Sequence, residues 1–202
     1  MIHTAKKKIT AIILAGGKSS RMGQDKAMLS IDGVPMLMRV YQVADSCADT
    51  VYIITPWQER YQDLLPPSCQ FIREAPFEGD INAGSPLVGF AEALVQVSTE
   101  WVLLLACDLP NLQVEVLQAW IEGLENVRAE AIAALVKNQK GWEPLCGFYR
   151  KSCLAGLNKF ISQGGRSFQE WLNQNPVEVL PNPNMDMFFN CNTPDDLRRP
   201  SL

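Results

Sequence analysis

The chain has 202 residues, with 18 Lys plus Arg against 22 Asp plus Glu, 47% apolar residues and a single histidine, His3. This is the composition of an ordinary globular protein long enough to bury a full core, and the net charge of −4 excludes a general nucleic-acid binder, which needs a basic face to displace counterions. One histidine so close to a chain end also excludes Ser-His-Asp or Cys-His nucleophile systems and a His-rich zinc site, because each needs rigidly held imidazoles.

Short aliphatic runs alternate with segments of helical period along the chain. Lys6-Lys7-Lys8 followed by ITAIILAGG superficially resembles the start of a signal peptide, but a charged, glycine-rich run follows where a small-residue cleavage site belongs. It reads as a first strand, 9–15. Further strands are expected at 51–55, 69–73, 101–106, 131–136 and 144–149. Between them, Leu37, Val40, Tyr41, Ala44 and Cys47 recur at helical spacing, as do Leu87, Phe90, Ala91, Leu94 and Val97, and then Val114, Leu117, Trp120, Ile121 and Leu124. Ser85-Pro86 and Thr193-Pro194 each place a side-chain oxygen at a helix N-cap and proline in the first turn.

The pattern predicts one α/β domain over residues 1–202: a three-layer Rossmann-like sandwich with a mostly parallel sheet and helices on both faces. The longest apolar run beyond the first strand, WVLLLAC at 101–107, is far short of a membrane span, so no membrane partner is expected. None of the six cysteines (Cys47, Cys69, Cys107, Cys146, Cys153, Cys191) forms a Cys-x-x-Cys pair. They read as small buried hydrophobes, and a reducing, cytoplasmic setting is the expectation.

The segment with the most chemistry is LAGGKSSRMGQDKAML, residues 14–29, directly after the first strand. Adjacent glycines let a ligand approach the backbone, and Lys18, Arg21 and Lys26 bring positive charge to the edge where open parallel sheets bind ligands. The loop is neither a Walker A motif, since Ile12 stands where that motif needs its first glycine, nor a G-x-G-x-x-G dinucleotide loop. A glycine-rich turn with solvated charges is the plain alternative.

The run LAGGKSSRMGQDKA resembles the signature of the molybdenum cofactor guanylyltransferases, within the nucleotidyltransferase superfamily. Three further elements extend the resemblance over nearly the whole chain: SPLVG at 85–89, CDLP at 107–110 and NTPDDL at 192–197. It implies GTP and molybdopterin as substrates, with a guanine dinucleotide cofactor and pyrophosphate as products. Transient contacts with other molybdenum cofactor proteins are also implied. A CTP-dependent sister enzyme and a non-catalytic nucleotide-binding partner in cofactor delivery are the alternatives.

The resemblance implies that Leu14, Ala15, Gly16 and Gly17 hold the guanine nucleotide, with Lys26 neutralising phosphate charge. Arg21 is the next phosphate ligand, against a structural ion pair. Asp108 follows an apolar strand, where a carboxylate must face the ligand crevice or find a partner, and the resemblance makes it the Mg2+ ligand. A second ligand could come from Asn190 or Asn192. Base recognition falls to Glu74, with Glu78 or Asp80 as substitutes, while Ser85 and Val88 depart from the usual Gly and Ala. Residues 137–149 and 162–168, with Lys137, Lys140, Arg150 and Arg166, are the expected pterin side. Charge is distributed to match: residues 1–39 carry seven basic residues against two acidic ones, the rest 11 against 20, so the basic opening suits a polyphosphate-binding loop.

Overall fold

The computed structural model describes residues 8–16, 25–74, 85–181 and 185–191. Its elements in chain order are β1 (Ile9–Leu14), β2 (Ser30–Ile31), β3 (Val34–Pro35), α1 (Met36–Cys47), β4 (Thr50–Thr55), α2 (Gln58–Tyr61), β5 (Gln70–Arg73), α3 (Pro86–Gln96), β6 (Trp101–Ala106), α4 (Val114–Gly123), β7 (Ala133–Asn138), β8 (Gly141–Arg150), α5 (Leu154–Ser162), α6 (Phe168–Asn173) and β9 (Val177–Val179). Seven strands make one sheet in the order β5-β4-β1-β6-β8-β7-β9. β2 and β3 form a separate hairpin whose turn, Asp32-Gly33, has positive φ at both residues, the backbone that an Asp-Gly pair tolerates in a two-residue hairpin.

Burial on both faces explains why β6 is apolar throughout and β1 is apolar but for the buried Thr10. Ile9, Ala11 and Ile13 of β1, with Trp101, Leu103 and Leu105 of β6, pack into a core that includes the inner faces of α1 and α4. Ile12 and Leu14, with Val102 and Leu104, pack into a second core with α3, α5 and α6. The expected three-layer sandwich is therefore present, with the central strands and first three long helices within about a turn of their predicted positions.

The structure differs from the predicted elements in three respects. β8 runs antiparallel to β6 and β7, while the other pairings of the seven-stranded sheet are parallel; the turn between β7 and β8 is too short for the crossover that a parallel partner needs. Helices α2 and α6 and strand β9 are too short to display a period, whereas α5 carries Leu154, Leu157, Phe160 and Ile161 at a helical spacing that the predicted elements do not include. The Ser85 hydroxyl does not cap α3; it donates to the Arg166 carbonyl at 3.0 Å, while Pro86 occupies the first turn as expected. The expected helix start at Thr193 lies outside the described residues. Five of the six cysteines are buried, Cys107 is partly exposed, and all six are free thiols. No helix among the described residues is long and apolar enough to cross a membrane.

Candidate active site

The ladder holding β1 continues past the strand's end: the Ala15 N–H donates to Ile54 O at 3.0 Å, and the Cys107 N–H donates to Leu14 O at 3.1 Å. These bonds fix the first residues of the glycine-rich segment at the carboxyl edge of the sheet. A cavity of about 200 Å³ opens there. Leu14, Ala15 and Gly16 line it after β1, Cys107 and Asp108 after β6, and Asp25 and Lys26 from the following loop, with Trp57, Pro86 and Leu145 closing the sides. Residues distant in sequence thus meet because parallel strands deliver their following loops to one edge.

Lys26 begins a 3-10 turn, Lys26–Met28, capped by Asp25. The Asp25 carboxylate accepts from the Ala27 N–H at 3.1 Å and from the Tyr61 hydroxyl at 2.6 Å, and Arg60 approaches it to 3.7 Å. Burial, followed by the hydrogen bond to Asp25, raises the pKa of the fully buried Tyr61 phenol, so it remains a donor. This turn places Lys26 Nζ 3.8 Å from Asp108 Oδ2, with the two side chains 23% and 19% exposed. Burial raises the Asp108 pKa above its ordinary value, and the opposing charge of Lys26 only partly offsets that. Burial also pushes up the Cys107 thiol, which is thereby held protonated beside the carboxylate.

Glu74 follows β5, with its N–H donating to Thr55 O at 3.2 Å. Its carboxylate faces a small adjoining space of about 20 Å³ shared with Leu14, Gly16 and Gly89. A Cβ at position 16 would stand 2.5 Å from Glu74 Oε2, so glycine is what lets that carboxylate lie against the loop. Burial, reinforced by the charge of Glu92, raises the Glu74 pKa.

Leu14, Ala15, Gly16, Lys26 and Asp108 therefore line one cavity, with Glu74 on its border. Gly17, Lys18, Arg21, Glu78, Asp80 and Asn192 lie outside the described residues. Asn190 is exposed and next to Cys191, whose N–H donates to the Asp108 backbone carbonyl at 3.1 Å, so the chain returns to the backbone of Asp108. Asp25, Trp57 and Leu145 were not singled out from the sequence. Asp-Lys invited attention only to the lysine, and nothing local marks an isolated Trp or Leu as a cavity wall.

The expected pterin-side cations are dispersed. Arg150 stands at the opposite end of β6, stacked 4.2 Å from the Trp101 ring centroid, donating to Ala131 O and paired with Glu100. Lys137 covers the Trp142 ring at 4.6 Å. The Arg166 guanidinium donates to Ile161 O and Gly165 O, near the end of α5. The reversal of β8 carries Arg150 to the far edge, which spacing in sequence does not reveal.

The profile of the MobA-like NTP transferase domain matches residues 11–179. The chain belongs to this family. A protein of Nostoc sp. named as a probable molybdenum cofactor guanylyltransferase is 60% identical over 189 residues, covering 94% of this chain and 88% of the relative. A Synechococcus elongatus protein of the same name is 44% identical, covering 92% and 94%. The solved structure of molybdopterin-guanine dinucleotide biosynthesis protein A from Archaeoglobus fulgidus has the same fold, with a TM-score of 0.74 at 23% identity over 94% of this chain and 95% of that one. As a MobA-like NTP transferase this chain is an enzyme of the nucleotidyltransferase type.

Proposed function

We propose that this chain is a molybdenum cofactor guanylyltransferase: the terminal phosphate of molybdopterin attacks the α-phosphorus of GTP in line, and pyrophosphate leaves without a covalent enzyme intermediate. The observation that carries this reading is the meeting of the Leu14–Gly16 backbone, Lys26 and Asp108 in one cavity. Such a transfer needs little acid-base chemistry from the protein and much charge compensation, so it calls for no histidine.

Lys26 neutralises phosphate oxygens, Arg21 adds a second cation, and the backbone after β1 supports the nucleotide. The Glu74 carboxylate accepts from the adjacent ring N–H and amino donors of guanine. Cytosine offers its amino group beside acceptors instead, which favours GTP over CTP. Among the described residues no group of three metal-binding side chains is present; a single partly buried carboxylate, Asp108, suits Mg2+, which takes one or two carboxylates and fills its other positions with phosphate oxygens and water. Bound by Asp108, with Asn190 nearby, Mg2+ would supply further neutralisation of the triphosphate.

The test is product formation. The purified chain is incubated with molybdopterin, Mg2+ and each of GTP, CTP and ATP, and products are identified by mass spectrometry. Pyrophosphate release with a guanylylated pterin is expected from GTP alone. A cytidylylated product with GTP ignored would refute the substrate assignment, and nucleotide binding without any product would refute catalysis.

A further inference from the structure

The cations expected on the acceptor side are dispersed, and an irregularity of the sheet falls within the 137–149 span where the pterin is expected. β7 and β8 pair regularly up to Leu135↔Gly147 and again at Lys137↔Trp142. Between those pairs β8 spends three more residues than β7, so it bulges. Bulges re-aim side chains and are enriched beside active sites. This one overhangs the reactive edge: the β6–β8 ladder ends at Leu105↔Cys146, and Leu145 lines the cavity shared by Lys26 and Asp108.

The bulge is held from several directions. The Tyr149 hydroxyl donates to Pro144 O at 2.7 Å. The Gln169 side chain accepts from the Trp142 N–H at 3.0 Å and donates to Trp142 O at 2.6 Å, and Trp142 Nε1 donates to Asn173 Oδ1 at 3.0 Å. Glu143, within about 7 Å of Leu145 along the chain, is half-buried. Asn138 Nδ2 donates to its Oε1, and among the described residues its Oε2 accepts no hydrogen bond. A partly desolvated carboxylate with an unused oxygen on a braced backbone is a prepared acceptor for a ligand donor.

Sheet order adds the decisive placement. Glu74 follows β5 on one side of β1, and Glu143 lies on β8 on the other, with Asp108 after β6 between them. Two substrates whose phosphates meet at Lys26 and Asp108 therefore direct their ring systems toward opposite carboxylates. A pterin and a guanine each present a ring N–H beside an exocyclic amino group, so each calls for its own carboxylate.

We propose that Glu143 recognises the acceptor, its carboxylate accepting from the paired N–H donors on the 2-amino-4-oxopyrimidine edge of a pterin. This assignment rests on the guanylyltransferase reading for the identity of the acceptor. Glu143→Gln tests it, since glutamine retains the acceptor for Asn138 but loses the charge and the two-acceptor edge. In steady-state kinetics on the full chain with GTP, Mg2+ and molybdopterin, the acceptor KM should rise about tenfold to a hundredfold while the GTP KM stays within about twofold. Direct binding gives an activity-independent readout: titrations followed by ligand fluorescence compare 6-hydroxymethylpterin with its lumazine counterpart, which has an oxo group in place of the 2-amino group. The wild type should prefer the pterin, and Glu143→Gln should lose that preference. An unchanged acceptor KM, or unchanged pterin selection by the variant, overturns the assignment. If the wild type forms no guanylylated product yet selects pterin through Glu143, the reaction is overturned and the site stands.

Discussion

Asp108 is held where its charge is costly. Burial raises its pKa and Lys26, 3.8 Å away, offsets this only in part. A carboxylate whose folded-state pKa lies above its unfolded value gains stability as pH falls through the folded value, so at neutral pH its ionised form costs stability. Asp108→Asn is therefore expected to melt no lower than the wild type while turnover falls about a hundredfold or more. Calorimetry beside pyrophosphate release checks both, and a parallel loss of melting temperature would make Asp108 structural. Lys26→Ala should cost GTP affinity or turnover about tenfold or more through lost charge-assisted bonds to phosphate. Glu74 is shifted in the same direction as Asp108, by burial and then by Glu92. The acid limb of kcat/KM for GTP should accordingly lie above the ordinary carboxylate range, because Glu74 takes up a proton early and works only when ionised. A limb at the ordinary Glu value would contradict this role.

Among the elements, the 3-10 turn at Lys26–Met28 matters beyond its length. Asp25 caps it and also satisfies the buried Tyr61 hydroxyl of α2, so one side chain joins the lysine's local backbone to the packed core. Asp25→Ala removes a cap, worth about 0.5–2 kcal/mol, and orphans a buried hydroxyl, worth about 1–3 kcal/mol. A loss of about 2–4 kcal/mol in denaturant titrations is expected, with reduced turnover as Lys26 loses its support. Wild-type stability would show that the contact is dispensable. The sequence made the lysine visible through its motif, but Asp25 acts through Tyr61, 36 positions away, and no local pattern announces such a partner. α1, α3 and α4 were legible because each has an amphipathic stripe several turns long. α6 was not, since its six residues are too few to display a period.

At the scale of the whole molecule, the sheet brings the loops after β1 and β6 to one edge and sets Arg150 at the other. There Arg150 binds the Ala131 carbonyl, pairs with Glu100 and stacks on Trp101 at the end of the sheet remote from Asp108. Arg150→Met should destabilise the fold by about 1–3 kcal/mol through the lost hydrogen bond and cation–π contact, leaving both substrate KM values unchanged in the folded enzyme. A raised acceptor KM would return Arg150 to the binding site. Of the basic residues among the first 39, Lys26 reaches the reactive edge, while Lys8 stands before β1 at the opposite end of the strand and Arg39 binds Ile31 O and pairs with Asp32.

The amino-acid pattern alone determined the α/β class, the central strands, three of the helices and the glycine-rich segment, Lys26 and Asp108 as site candidates, and the family resemblance added Glu74. Those properties are carried by local periodicity, by charge next to apolar runs and by motifs, all of which are written in contiguous residues. Tertiary structure decided that β8 is reversed, that Arg150 therefore faces the far edge, that Ser85 bonds to Arg166 instead of capping α3, and that Asp25, Trp57 and Leu145 wall the cavity. It also set Glu74 and Glu143 on opposite flanks of Asp108. The division has one physical reason: strand order and direction depend on which surfaces bury one another after the chain has turned, and that pairing is a property of the packed whole.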